Sequence, residues 1–170
     1  LGWSFKTQSD IEVLVKSWMH WGTKVFDKLN GMFAFAIYNK KNKKLWLARD
    51  IPGEKPLYYY KKNNDFLFAS EIKGFKNILK LNKINNNFFD SFQHCLNDTL
   101  WQNVYQLPAA NYLEYDLNTN KCKIVEYWRI KKRDIKKKNV LEELDYLMED
   151  SIKIRTRSDV DLGLYYSKGM

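Results

Sequence analysis

The chain has 170 residues, 45% of them apolar and 16% aromatic, enough for one domain of ordinary size and part of another. No apolar run approaches the roughly 20 residues that span a bilayer, and Leu1-Gly2-Trp3-Ser4-Phe5 has neither the basic nor the apolar region of a secretory signal, so no membrane partner is expected. The formal charge is +9, but the lysines are dispersed and arginine, which reads bases and phosphates bidentately, is scarce, so no nucleic-acid partner is expected either.

Residues 9–21 read as an amphipathic helix, with Ile11, Leu14, Val15, Trp18 and Met19 at helical spacing. Ser9 and Glu12 have the form of a capping box, and Gly22 is a stop. From Gly31 the period changes. Residues 32–38 are dense in apolar and aromatic side chains, as in a strand buried on both faces. A polar turn at 39–44 and a return strand at 45–48 make a hairpin. Pro52-Gly53 breaks the chain, and strands at 57–60 and 66–69 flank a turn at 63–65. Residues 70–79 and 88–96 read as short helices. Residues 104–115 and 123–128 read as a second strand group around Asn118-Thr119-Asn120. Residues 131–139 are charged and aperiodic, as in a linker. Residues 140–154 have helical periodicity through Val140, Leu141, Leu144, Leu147, Met148 and Ile152, and 162–166 read as a short buried strand. Strands followed by separate helices suggest α+β, and the helix–strand–loop end looks like the opening of an α/β unit.

Cys95 and Cys122, with the isolated His20 and His94, give neither a disulfide framework nor zinc-ligand spacing. No metal site is expected within the chain, and a reduced, cytoplasmic setting is. Cys95 is expected near a helix end and Cys122 in a strand, both as ordinary residues. Asp10, at the opening of the first helix, is favoured there by the helix dipole alone.

Several blocks carry more. They are Ser9-Asp10-Ile11-Glu12-Val13-Leu14, then Asn30-Gly31-Met32-Phe33-Ala34-Phe35-Ala36-Ile37-Tyr38, then Ala48-Arg49-Asp50 followed by Gly53-Glu54-Lys55-Pro56-Leu57-Tyr58-Tyr59, and Phe68-Ala69-Ser70-Glu71-Ile72-Lys73. In this order and spacing they resemble the glutamine-hydrolysing half of the asparagine synthetase family, a class II glutamine amidotransferase. Near the end, Ser158-Asp159-Val160-Asp161-Leu162-Gly163-Leu164-Tyr165-Tyr166-Ser167-Lys168-Gly169 resembles the approach to that family's ATP-pyrophosphatase loop.

The resemblance implies a four-layer αββα sandwich, like that of hydrolases with an N-terminal nucleophile, over residues 1–130. A linker at 131–139 and the first elements of an α/β ATP-pyrophosphatase domain at 140–170 would follow. It implies that Asp10 binds the α-amino group of glutamine, facing a buried pocket between paired sheets; a charge-assisted hydrogen bond suits that ligand. Arg49 and Asp50 are expected to form an ion pair beside a tight turn under the pocket. Ser70-Glu71-Ile72-Lys73 would start a helix or lie near the ammonia path. Asn30-Gly31 would be a turn leading into a strand rather than the family's oxyanion element. Leu107-Pro108-Ala109-Ala110-Asn111-Tyr112-Leu113 resembles the family's Leu-Pro-Pro-Gly-His-Tyr-Leu, and alanine at the last two turn positions implies a less strained turn.

For ATP, the resemblance points to Tyr165 or Tyr166 against adenine and to Ser167, Lys168 and Gly169 in the phosphate loop, with Mg²⁺ as the accompanying ion. Lys168 stands where the family has glycine. The family's nucleophile is an N-terminal cysteine, whose own α-amine serves as base. Here the first residue is Leu1, and the family's oxyanion and carboxylate-binding residues lie upstream of the Asp10 block. The chain is therefore expected to be an inactive internal piece of a glutamine-dependent asparagine synthetase. Its parent would convert glutamine, aspartate and ATP to asparagine, glutamate, AMP and pyrophosphate, with a homodimer in keeping with the family. A relative that amidates a sugar or peptide carboxylate, or a non-catalytic amidotransferase-like binding module, is the alternative.

Overall fold

The computed structural model describes residues 2–76, 78–79, 84–85, 97–132, 139–156 and 158–165. They divide into two compact units, Leu1–Arg129 and Ile130–Met170. The first unit carries helix α1 (Asp10–Trp21), a 3-10 segment (Gly22–Lys28), strands β1 (Ala34–Asn39), β2 (Lys44–Arg49), β3 (Tyr58–Lys62) and β4 (Asp65–Ala69), and a second 3-10 segment (Ile72–Phe75). Strands β5 (Val104–Gln106), β6 (Asn111–Asp116) and β7 (Lys121–Glu126) complete it. This is an α+β fold with two antiparallel sheets, ordered β1-β2-β6-β7 and β4-β3-β5. The predicted strand group at 104–128 is thus divided: β5 pairs with β3, while β6 and β7 extend the β1–β2 hairpin.

Side-chain alternation sorts the core into layers. Leu47, Leu113 and Tyr115 of the larger sheet meet Tyr59 of the smaller one, with Leu57 and Leu107 beside them. Phe66 stacks on Tyr115 across this interface at 4.2 Å between ring centroids. Burial here pushes the Tyr59 hydroxyl up to about 12. The alternate residues Phe35, Ala48 and Tyr112 turn to the opposite face, where Trp18, Val25 and Phe26 cover them. On the far face of the smaller sheet, Tyr60 and Val104 pack against Phe75. Each fully buried Leu or Val contributes about 1.5–3 kcal/mol.

Burial on both faces therefore belongs to β2, not to the strand at 32–38. β1 is the edge of its sheet, and its Ala36 and Tyr38 are exposed. The expected helix at 70–79 is only the 3-10 turn Ile72–Phe75. The expected helix at 88–96, with His94 and Cys95, lies outside the described residues. Cys122 sits in β7, exposed and free.

Helix α1 starts and stops where its sequence indicates, but with different contacts. Ser9 Oγ accepts from Ile11 N at 3.2 Å, and Gly22, at φ +57°, donates its N–H to Trp18 O. Glu12 does not close a capping box onto Ser9. Its carboxylate accepts from Lys6 N, Thr7 N and Thr7 Oγ1 at 2.6–3.1 Å and pairs with Lys16 at 2.6 Å. The preceding segment accordingly runs back along the helix, with Lys16 also over the Phe5 ring and Trp3 edge-on to His20. Ile11, Val15 and Met19 are exposed, and the covered face is Leu14, Ser17, Trp18 and Trp21.

The Lys16 contact, then Thr7 and the Lys6 backbone, hold the Glu12 carboxyl down at about 2, from an ordinary value of 4.5. Because the folded value is the lower one, this contact stabilises the fold above about pH 4.5 and its contribution fades as pH falls toward 2. Glu12→Gln should flatten the acid limb of stability against pH over that window, measured by chemical denaturation. An unaltered limb would contradict the assignment.

In the second unit, helix α2 (Val140–Arg155) matches its predicted span, with the apolar residues Leu141, Leu144, Met148 and Ile152 exposed. The predicted buried strand at 162–166 is not formed among its described residues. Leu162, Leu164 and Tyr165 are exposed, because no sheet pairs with them. Tyr166 lies outside the described residues.

Candidate functional site

Asp10 lines a cavity of about 520 Å³ in the first unit. That volume falls in the range of small-molecule sites. Its walls come from the first turns of α1 (Asp10, Ile11, Leu14), from residues 29–35 leading into β1, from Lys55-Pro56 before β3, and from Ser70 after β4. The cavity thus lies beside α1 at the ends of both sheets, rather than within the interface between them. Asp10 is exposed at its rim. No hydrogen bond or ion pair engages its carboxylate among the described residues, and the positive end of the 12-residue helix favours its charge.

The walls are largely apolar, through Ile11, Leu14, Met32, Phe33 and Pro56. Asn30-Gly31 belongs to them, with Gly31 at φ +145° and no heavy atom within 4 Å of where a Cβ would stand. Reading this dipeptide as a mere turn missed its place in the cavity; its position just before the β1 run was the available signal. Lys55 was likewise read only as part of a turn block. It is the one cation among the described residues that line the cavity.

Beneath the cavity, Arg49 and Asp50 do not pair with each other. Arg49 ends β2 and Asp50 follows it, and each side chain takes main-chain partners of its own. Asp50 is fully buried, and its carboxylate accepts from Phe33 N (2.9 Å), Glu54 N (2.7 Å) and Lys55 N (3.0 Å). Arg49 donates to three carbonyls: Lys55 O (2.9 Å), Leu107 O (2.8 Å) and Gly53 O (2.6 Å). Tyr127 Oη donates to Arg49 O at 2.7 Å. Burial raises the Tyr127 hydroxyl strongly, and the negative charge of Asp50 adds to it. Asp50 thus joins two walls of the cavity through the backbone of Phe33 and Lys55.

The turn that follows β5 is not relaxed by its alanines. Ala110 keeps φ +56° and is buried. Its N–H donates to Asp50 O at 2.9 Å and its carbonyl accepts from Tyr127 N at 2.9 Å, so two hydrogen bonds hold the left-handed conformation that glycine would adopt freely.

Residues 1–128 match the family described as glutamine amidotransferase domain. The chain belongs to that family. Over 97% of its length this amidotransferase chain is 33% identical to a putative glutamine-hydrolysing asparagine synthetase 2 of Methanocaldococcus jannaschii, covering 34% of that protein. Over 98% of its length it is 32% identical to the glutamine-hydrolysing asparagine synthetase 2 of Bacillus subtilis, covering 25% of it. A shorter stretch, 43% of the chain, is 47% identical to asparagine synthetase 3 of B. subtilis. The amidotransferase chain therefore spans a quarter to a third of the length of the relatives matched along its whole length.

The residues expected at ATP belong to the second unit. Tyr165 is fully exposed, and Tyr166, Ser167, Lys168 and Gly169 lie outside the described residues. Among the described residues no three His, Cys, Asp or Glu side chains gather in a way that could hold a metal ion, and no helix is long and apolar enough to cross a membrane.

Proposed function

We propose that residues 1–130 form the glutamine-binding part of a glutamine-dependent asparagine synthetase, with the four-layer architecture of hydrolases that use an N-terminal nucleophile. The unpartnered Asp10 carboxylate at the rim of an apolar cavity carries this reading. An α-ammonium needs a fixed anion with spare acceptor capacity, and Asp10 offers both of its oxygens. The sequence of layers, with α1 and its 3-10 continuation on one sheet and a 3-10 turn beyond the other, supports the architecture. Glutamine would supply ammonia to aspartate activated elsewhere with ATP and Mg²⁺.

No cysteine is among the described residues that line the cavity, and we expect the 170-residue chain itself to bind glutamine without releasing ammonia. Chemical-shift titration with L-glutamine tests the binding, and an ammonia assay the turnover. Asp10→Asn should weaken L-glutamine about tenfold or more, the size expected for losing a charged hydrogen-bond partner. It should leave 4-carbamoylbutanoate, which lacks the α-amine, unaffected. Equal effects on both ligands, or none on either, would refute the role of Asp10. Ammonia release would refute the expected inactivity.

A further inference from the structure

We infer that Glu12 is a positioning residue for Asp10: without touching the ligand, it fixes the main chain from which the Asp10 carboxylate reaches the cavity. The inference rests on the reading of Asp10 as the anion for an α-ammonium.

The Asp10 carboxylate has no hydrogen-bond or ion-pair partner among the described residues, so its aim is set by its own backbone. Residues two apart on a helix lie about 200° from each other around the axis, so Glu12 leaves α1 on the side away from Asp10. Neither Glu12 nor Thr7 is among the described residues that line the cavity. Glu12 instead gathers the segment that leads to Asp10. Its two oxygens accept from Lys6 N at 3.0 and 3.1 Å, and Oε2 also accepts from Thr7 N at 2.7 Å and from Thr7 Oγ1 at 2.6 Å. The same Thr7 hydroxyl accepts from Ser9 N at 3.3 Å, and Ser9 Oγ accepts from Ile11 N at 3.2 Å. Contacts therefore run from Glu12 through Thr7 to Ser9 and on to Ile11, and both chain neighbours of Asp10 are tied. Lys16, one turn further along α1, pairs with Glu12 Oε1 at 2.6 Å and donates to Ser4 O, which closes the segment over the helix. Ser9 alone would cap α1. The charge-assisted clamp on residues 6 and 7 adds a fixed entry to the helix, and an anion fixed in advance spares a ligand the cost of ordering it.

The test compares L-glutamine with 4-carbamoylbutanoate by chemical-shift titration of the 170-residue chain and its variants. The ratio of the two affinities reports the Asp10 contact, whereas a general loosening of the fold would move both affinities together. Glu12→Gln keeps the length of the side chain and gives up its charge and one acceptor oxygen. It should lower the preference for glutamine about threefold or more, the size expected between residues coupled through shared contacts, and leave the affinity for 4-carbamoylbutanoate unchanged. Thr7→Val removes the link to Ser9 at similar shape and should shift the ratio the same way; it carries the test alone if Glu12→Gln does not fold. In an Asp10→Asn background, Glu12→Gln should move the ratio no further, because no anion remains to be aimed. If either folded variant keeps the wild-type ratio or weakens both ligands alike, Glu12 serves the fold only and the inference fails alone. It fails equally if Glu12→Gln still moves the ratio in the Asp10→Asn background. If the wild-type chain shows no preference for glutamine, or no shifts with it, the reading of Asp10 fails and takes this inference with it.

Discussion

Asp50→Ala should destabilise the first unit by about 3–5 kcal/mol. The substitution removes the carboxylate that accepts from the N–H groups of Phe33, Glu54 and Lys55. An unsatisfied buried donor costs about 1–3 kcal/mol. Glu54 and Lys55 lie in an exposed loop where water can replace part of the loss, which places the sum below three full penalties. Asp50→Asn should fall short of rescue, because its amide nitrogen would face a donor where an oxygen now faces one. The shift should be read as a lower denaturant midpoint at unchanged slope, and as a melting point lower by roughly 10 °C. A loss below about 1 kcal/mol for Asp50→Ala would mean that these three amides find other partners. An Asp65→Asn control at the exposed start of β4 should stay within about 0.5 kcal/mol.

Gly53→Ala should cost about 2–4 kcal/mol, through contact more than through backbone strain. The position has φ +74°, yet Lys43, Asn63, Asn103, Ala110 and Asn120 also have positive φ, so this chain tolerates such conformations without glycine. Left-handed backbone alone accounts for about 1–2 kcal/mol. The larger obstacle is space. A Cβ on residue 53 would stand 3.0 Å from Ala109 Cβ, 3.0 Å from Arg49 Nη2 and 3.1 Å from Arg49 Cζ. The guanidinium cannot swing aside without giving up its bonds to Lys55 O, Leu107 O and Gly53 O, and Ala109 is carried by the turn pinned at Ala110. Overpacking of this kind adds about 1–3 kcal/mol. Glutamine affinity should fall together with stability, since the displaced loop leads into the Lys55-Pro56 wall of the cavity. A Gly53→Ala protein with the parent's midpoint would show that the loop relaxes freely.

How much of this was legible in the sequence follows from the range of each interaction. Helix α1, the β1–β2 and β3–β4 hairpins and helix α2 depend on local spacing and turn chemistry, and their bounds fall within a few residues of the expected ones. Which strand lies at an edge depends on partners far along the chain. So β1, with the richer apolar run, is the exposed edge, while β2, with its shorter run, lies buried between β1 and β6. The same limit applies to β5: nothing in Val104-Tyr105-Gln106 says that it joins β3 rather than β6. At the site, Asp10 was readable through its motif and its place at a helix start. The network beneath it was not, because the Arg49-Asp50 block reads as an ion pair, whereas both side chains bind main-chain groups that only the folded loop brings to them. The turn at Ala110 was misread for a related reason, since a missing glycine says nothing about hydrogen bonds strong enough to hold another residue in its conformation.

The partners of Arg49 and Asp50 have a wider consequence. Every group these two side chains bind is an amide or a carbonyl of the main chain. Such an anchor recognises the path of a loop and is blind to its lettering. Positions 51 and 52 can therefore vary while the floor of the cavity keeps its place.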